Sequence, residues 1–182
     1  MQMNAKPKAP KFNPAVLPME YMPRLTEEAP TTKFTKHYLI PGKVFVSAVP
    51  IAITTILGSG VSVCLWDCLN GIGGINHFLW PASIDAPEDG AKDGETANKL
   101  LLQQMLDLGA ELGNIEAKIF GGSQPLVKFN NSTECLGNRN VDAAVKFLSE
   151  QRIPIAEKKV GGNRGRKLIF QTTDGVAEVE QL

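Results

Sequence analysis

From Thr54 to His77 the chain reads TTILGSGVSVCLWDCLNGIGGINH. β-Branched and apolar runs at Ile51 to Leu57, Val61 to Asp67 and Gly74 to Trp80 are separated by Gly-Ser-Gly and Asn-Gly punctuation. Runs this short, bounded by residues that accept tight turns, read as strands. The unit is therefore strand, turn, strand, and it brings Thr54, Gly60 and His77 near one another. With an earlier run at Tyr38 to Val46, four strands are expected in quick succession.

The pattern then changes period. Ala97, Leu100, Leu101, Met105 and Leu108 recur at helical spacing and end at Gly109 or Gly113, which predicts a first helix. Ile115 to Phe120 reads as a strand running into Gly121-Gly122. Asn140 is expected to cap a second helix with Val141, Ala144, Val145 and Leu148 inward and Pro154 as its stop. Ile153 to Ala156, Lys167 to Thr172 and Val176 to Val179 close the chain as strands, the last two joined by a Thr-Asp-Gly turn. Strands first, then helix, strand, helix and strands, give an α/β sandwich with mixed sheet, its helices on one side.

Composition sets limits on what surrounds this core. Residues 1–36 hold six prolines among scattered charges, a composition read as a proline-rich, flexible tail ahead of a domain at 37–182. Lys and Arg number 19, Asp and Glu 19, so no global field draws the molecule to nucleic acid or an anionic membrane. The first residues lack the apolar core of a secretory signal, and Val44 to Leu57 is too interrupted to span a bilayer, which together predict a cytoplasmic protein. Cys64, Cys68 and Cys135 have no zinc-type spacing and read as reduced thiols, with no metal or cofactor expected.

A nucleophile that attacks an amide needs a base within hydrogen-bond reach and a third group to orient that base. His77 is the base candidate, beside Asn76 and after a Gly-Gly pair that permits close approach of backbone or substrate. His37, at the junction with the tail, reads as structural or exposed.

Several separated stretches resemble the chemoreceptor glutamine deamidase family CheD. They are Tyr38-Leu39-Ile40-Pro41-Gly42, the Thr54 to His77 unit, Leu101 to Ala110, Glu116 to Gly122, Gly137-Asn138-Arg139-Asn140-Val141 and Gly161 to Arg166. The resemblance implies a protein of bacterial chemotaxis in which a Cys attacks the side-chain amide of a receptor glutamine, a His is the base and a Thr orients it. Carried over, His77 is the base, Thr54 the orienting residue, and Ser59, Asn76, Gly162, Asn163 and Arg164 contact substrate. Methyl-accepting receptors, and a CheC-like phosphatase, are the implied partners. The family's usual Arg-Tyr before the first helix is replaced by Lys92-Asp93.

At the family's Cys position this chain has Gly60, which offers no thiolate. Ser59 points to the opposite face if the segment is extended. Ser62 and Cys64 share the face of residue 60 but lie about 7 and 13 Å further along, and Ser62 reaches His77 only through a bulge. The activity of the chain is in question for that reason, and a non-catalytic receptor-binding regulator is the alternative. The glycine-rich run at 161–166 lacks a P-loop ending and reads as a tight turn, flanked by Lys158, Lys159, Arg164, Arg166 and Lys167 as a local basic patch.

Overall fold

The computed structural model describes residues 35–82, 91–124 and 135–182, all within the compact unit Phe34–Leu182. The expectations for residues 1–34, for most of the loop before the first helix and for residues 125–134 lie outside what is described. Strand β1 (Thr35–Tyr38) already includes Thr35 and Lys36, two residues assigned to the tail. It is followed by β2 (Lys43–Ser47), β3 (Ile51–Leu57), β4 (Val61–Asp67), β5 (Ile72–His77), α1 (Gly94–Asp107), a 3-10 turn at Leu112–Asn114 and β6 (Ile115–Gly121). After α2 (Leu136–Glu150), strands β7 (Ile155–Val160), β8 (Arg166–Gln171) and β9 (Ala177–Gln181) complete the chain.

Two mixed sheets stack face to face. One has the order β1-β3-β8-β9 and the other β2-β5-β4-β6-β7. The parallel pairs are β1 with β3 and β6 with β7, and all other pairings are antiparallel. Both helices pack on the five-stranded sheet, so the α/β sandwich has its helices on one side. Among the described residues no helix is long and apolar enough to cross a membrane.

Strand alternation fills two cores. Val61, Val63 and Leu65 of β4 point to the helices, where they meet Ala97, Leu101, Met105, Ala144 and Leu148. Cys64 of the same strand, with Ile75, Phe120, Ile53, Leu168 and Phe170, fills the space between the sheets. Helix α1 starts where the Asp93 carboxylate accepts the Thr96 N–H at 2.8 Å and ends before Gly109 at φ +102°. Leu100 and Leu108, expected inward, are exposed at 39% and 46%.

Several expected boundaries move, among them the strand at Ile153 to Ala156, which is β7 at Ile155–Val160, and the strand at Val176 to Val179, which is β9 at Ala177–Gln181. The run at Tyr38 to Val46 is two strands in different sheets, because Gly42 at φ +78° turns the chain from one sheet to the other and donates to the His77 carbonyl at 2.7 Å. The strand at Gly74 to Trp80 begins at Ile72 and ends at His77, beyond which Phe78 and Trp80 make single bridges to Val61 and Asp93. Helix α2 begins at Leu136, four residues before the expected cap, so Asn140 is a buried interior residue of the helix.

Gly73 and Gly74 let all three layers approach. A methyl on Gly73 meets Thr172 Cα and carbonyl O of the opposite sheet at 2.6 and 2.8 Å, whereas one on Gly74 meets Leu101 Cδ1, Val46 Cγ2 and Met105 Sδ at 2.8 to 3.0 Å. Backbone cannot step aside as side-chain ends do. Gly73→Ala therefore costs about 3 kcal/mol and Gly74→Ala nearer 1 kcal/mol in urea unfolding, the range of overpacked cores. Equal losses would show that the sheets slide apart as readily as the helix side chains repack.

Candidate active site

His77 ends β5 with its side chain directed between the sheets and only 2% exposed. Its Nδ1 lies 2.9 Å from Thr55 Oγ1 on β3 of the other sheet. The same hydroxyl is 2.9 Å from the Leu39 carbonyl. A carbonyl only accepts, so the single Thr55 hydroxyl proton goes to Leu39, and Thr55 Oγ1 must accept from His77 Nδ1–H. That fixes the tautomer, leaving the Nε2 lone pair free at the far edge of the ring.

The free nitrogen faces residue 60. A Cβ built on Gly60 falls 2.9 Å from His77 Nε2, 2.9 Å from the Phe78 carbonyl and 3.2 Å from Leu79 Cδ2. A side chain here is thus directed at the base, and its contacts at 2.9 Å, one of them to backbone, require the loop or the Phe78 backbone to shift. Burial pushes the His77 pKa down to about 4, so the imidazole is neutral near pH 7 and able to take a proton at Nε2.

Thr54, the expected orienting residue, is half-buried on the opposite face of β3, paired in register with Tyr38 and Ile169. Its neighbour Thr55 is fully buried and makes the bond. Two threonines stand in tandem on a strand whose flanking residues are apolar on both faces, so the sequence left the parity open. The fold settles it: Thr55 shares the face of Ile53 and Leu57, both wholly buried.

Asn76 points to the helices, away from His77. Its Oδ1 accepts the Val63 N–H at 2.8 Å and its Nδ2 donates to Asn98 Oδ1 at 2.7 Å. Both polar ends are engaged and the side chain is wholly buried, so the residue braces the sheet against α1. The Gly-Gly pair before it likewise admits Thr172 and α1, not a ligand.

The loop Gly58 to Gly60 lies beside two other turns. Gly122 N donates to Gly60 O at 2.9 Å, Ser123 N to Gly58 O at 2.8 Å, Gly161 N to Gly121 O at 2.9 Å and Gln124 N to Gly162 O at 2.8 Å. Gly121 at φ +109° touches the Gly60 carbonyl so closely that no Cβ fits there. Gly121-Gly122-Ser123 therefore forms part of the rim. Gly162, Asn163 and Arg164 are exposed on the third turn, beside a hollow of about 350 Å³. Ser59 is half-buried, its carbonyl accepting from Asn140 Nδ2 at 2.9 Å.

Two of the five cations of the expected basic patch pair with carboxylates and one is buried. Arg166 is buried and donates to the Lys159 and Gly161 carbonyls, Lys159 pairs with Glu157 at 2.6 Å and Lys167 with Glu180 at 3.4 Å. Lys158 and Arg164 remain exposed. His37 stacks on Phe45 with ring centroids 4.2 Å apart, a packing role.

Neither neighbouring nucleophile replaces residue 60. Cys64 lies in the inter-sheet core, and burial drives its thiol pKa well above the ordinary value, so it stays protonated. The bridges Val61 with Phe78 and Cys64 with Ile75 set Ser62 across from His77. Its hydroxyl is wholly buried and makes no hydrogen bond, to the imidazole or to anything else among the described residues. No bulge shifts the start of β4, whose register with β6 runs unbroken from Val61 to Asp67. All three cysteines are free.

A model of the family described as CheD chemotactic sensory transduction matches residues 81–181. Over 145 residues, 80% of its length, the chain is 43% identical to a protein of Anaeromyxobacter dehalogenans named probable chemoreceptor glutamine deamidase CheD 1, covering 84% of that protein. A protein of Trichlorobacter lovleyi named probable chemoreceptor glutamine deamidase CheD is 42% identical over 142 residues, 78% of this chain and 87% of its own length. A like-named protein of Agrobacterium fabrum is 36% identical over 147 residues, 80% and 79% of the two chains. The family match begins after His77, but 145 residues placed anywhere within 182 contain Thr55, Gly60 and His77. The chain belongs to the CheD family.

Proposed function

We propose that this chain is a chemoreceptor glutamine deamidase in fold, base and receptor engagement, with its hydrolytic step disabled by glycine at position 60. The observation that carries the reading is the aim of the Gly60 Cβ direction at the free Nε2 of His77. With a cysteine there, His77 takes the thiol proton and the thiolate attacks the glutamine amide carbon. The tetrahedral adduct expels ammonia, which leaves with the proton returned by His77, and a thioester remains. Water, deprotonated by His77, then splits the thioester to release glutamate and the thiol. Thr55 holds the imidazole in the tautomer both steps use, while Ser59 and the turn carrying Gly162, Asn163 and Arg164 line the approach for a receptor helix.

Without the thiol, His77 has no nucleophile to activate. The chain as it stands then acts by binding methyl-accepting receptors in the cytoplasm, and a CheC-like phosphatase, as a regulator of adaptation without chemistry. A pull-down in which neither a receptor cytoplasmic fragment nor such a phosphatase is retained would remove that role.

The catalytic half is tested by mass-spectrometric detection of glutamine-to-glutamate conversion on a receptor cytoplasmic fragment. No conversion is expected from the chain as it stands, conversion from Gly60→Cys, and none from Gly60→Cys with His77→Ala. Adding Thr55→Val to Gly60→Cys is expected to slow conversion at least about tenfold by freeing the imidazole to turn. Conversion by the unaltered chain would overturn the assignment of position 60. The new side chain costs about 1 to 3 kcal/mol of stability through its contact with the Phe78 carbonyl, so the comparison belongs well below the melting temperature.

The neutral base also makes a stability prediction. The folded chain holds His77 neutral down to about pH 4, whereas the unfolded chain protonates near 6.5. Stability present above pH 6.5 is therefore lost as the pH falls through that window, by about 2 kcal/mol at pH 5. Urea unfolding at pH 7 and pH 5 is expected to show this difference for the chain as it stands and little of it for His77→Gln. The same difference in both proteins would contradict a buried neutral imidazole.

A further inference from the structure

Asn140 is in the interior of α2, wholly buried, on a helix that otherwise turns apolar residues inward. Its Nδ2 donates to two carbonyls, Ser59 O and Leu79 O, each at 2.9 Å. Both partners accept only, so the orientation of the amide is fixed by chemistry: the NH₂ group must face them. One carbonyl belongs to the residue before position 60, the other to the second residue after His77. The two groups whose separation decides whether a side chain at 60 meets Nε2 are thus tied through one amide.

The remaining bonds around the gap are made by backbone. Gly60 O accepts from Gly122 N, and Val61 exchanges both backbone bonds with Phe78. These fix the strands but run on either side of Asn140, whose side chain spans from one to the other. The start of the same helix is packed on the second turn of the rim, since Gly137 lies so close to the Gly122 carbonyl that no Cβ fits between them. Helix α2 therefore has a purchase on the loop before 60, on the strand end after 77 and on the glycine turn beside them.

We propose that Asn140 is a positioning residue that sets the distance between residue 60 and His77 by holding the Ser59 and Leu79 carbonyls with its two amide protons. The assignment rests on the reading of position 60 as the nucleophile's place. It goes further in naming what holds that place against the base. Replacing the amide leaves two partly buried carbonyls without their donor and frees the loop and the strand end to move apart.

The test uses the full chain carrying Gly60→Cys, with peptide-resolved alkylation by iodoacetamide followed against pH and the exposed Cys68 as internal reference. A thiol paired with His77 is expected to react near neutral pH about tenfold faster than Cys68. Adding Asn140→Ala is expected to remove that advantage and move the pH profile of the introduced thiol toward that of Cys68, whose own rate stays put. Asn140→Asp, which keeps the shape and removes both donors, is expected to do the same. A profile at position 60 unchanged by either substitution, with only the melting temperature lowered, would make Asn140 a packing residue and overturn the proposal. So would loss of cooperative folding in both variants.

If Gly60→Cys itself reacts like Cys68, the reading of position 60 fails. Asn140 is then judged in the chain as it stands, by NMR titration of its two histidines. Asn140→Ala is expected to raise the His77 midpoint by about one unit as water enters. An unmoved His77 would overturn the clamp independently.

Discussion

Thr55 has one hydroxyl proton, and the Leu39 carbonyl takes it. From that follow the protonation of His77 at Nδ1, the free lone pair on Nε2 and the direction in which the base works. The bond also joins the sheets, because Thr55 belongs to the four-stranded sheet and His77 to the five-stranded one. Position 60 sits where the chain passes from β3 in the first sheet to β4 in the second. Thr55 on β3, residue 60 just before β4 and His77 at the end of β5 are thus aligned by the stacking of the sandwich. A base set this way needs no charge beside it: burial alone keeps it neutral.

Sheet stacking also explains why neighbouring nucleophiles do not stand in for residue 60. The face that carries His77 inward carries Ser62 and Cys64 inward as well, into space closed to solvent and substrate. Cys64 is surrounded by the inter-sheet core, where a thiolate would lose its hydration with little in return. Position 60 precedes the regular part of β4, in a loop held against two other turns, and is itself buried.

Much of the architecture was legible in the chain. Runs at 51–57, 61–67 and 115–120 are strands within a residue or so of where their β-branched content and glycine punctuation put them, and Ala97, Leu101 and Met105 do form the inward stripe of α1. What escaped depends on contacts between distant residues. Nothing local tells Thr54 from Thr55, since the choice is made by which face of β3 meets the other sheet. Pro41-Gly42 reads as punctuation in one strand, but here it moves the chain between sheets. Asn140 has the chemistry of a helix cap and was read as one; its actual partners, Ser59 and Leu79, are 81 and 61 residues away in sequence. The run near 164 reads as a local basic patch, and only the fold shows that Glu157 and Glu180 lie beside two of its lysines.

No contact that shapes the surroundings of His77 uses a side chain at residue 60. Gly60 contributes its carbonyl to Gly122, Ser59 and Leu79 contribute theirs to Asn140, and His77 is held from behind by Thr55. A cysteine at this place presses a Cβ against the Phe78 carbonyl and the imidazole, a crowding that brings sulfur to the base at the expense of packing. Glycine relieves it. Catalytic groups commonly sit in arrangements less stable than the fold would otherwise allow, and here the trade is visible at one carbon atom. With glycine at 60 the surroundings are the more relaxed, and the Thr55–His77 bond, the tautomer and the neighbouring turns hold without any side chain there.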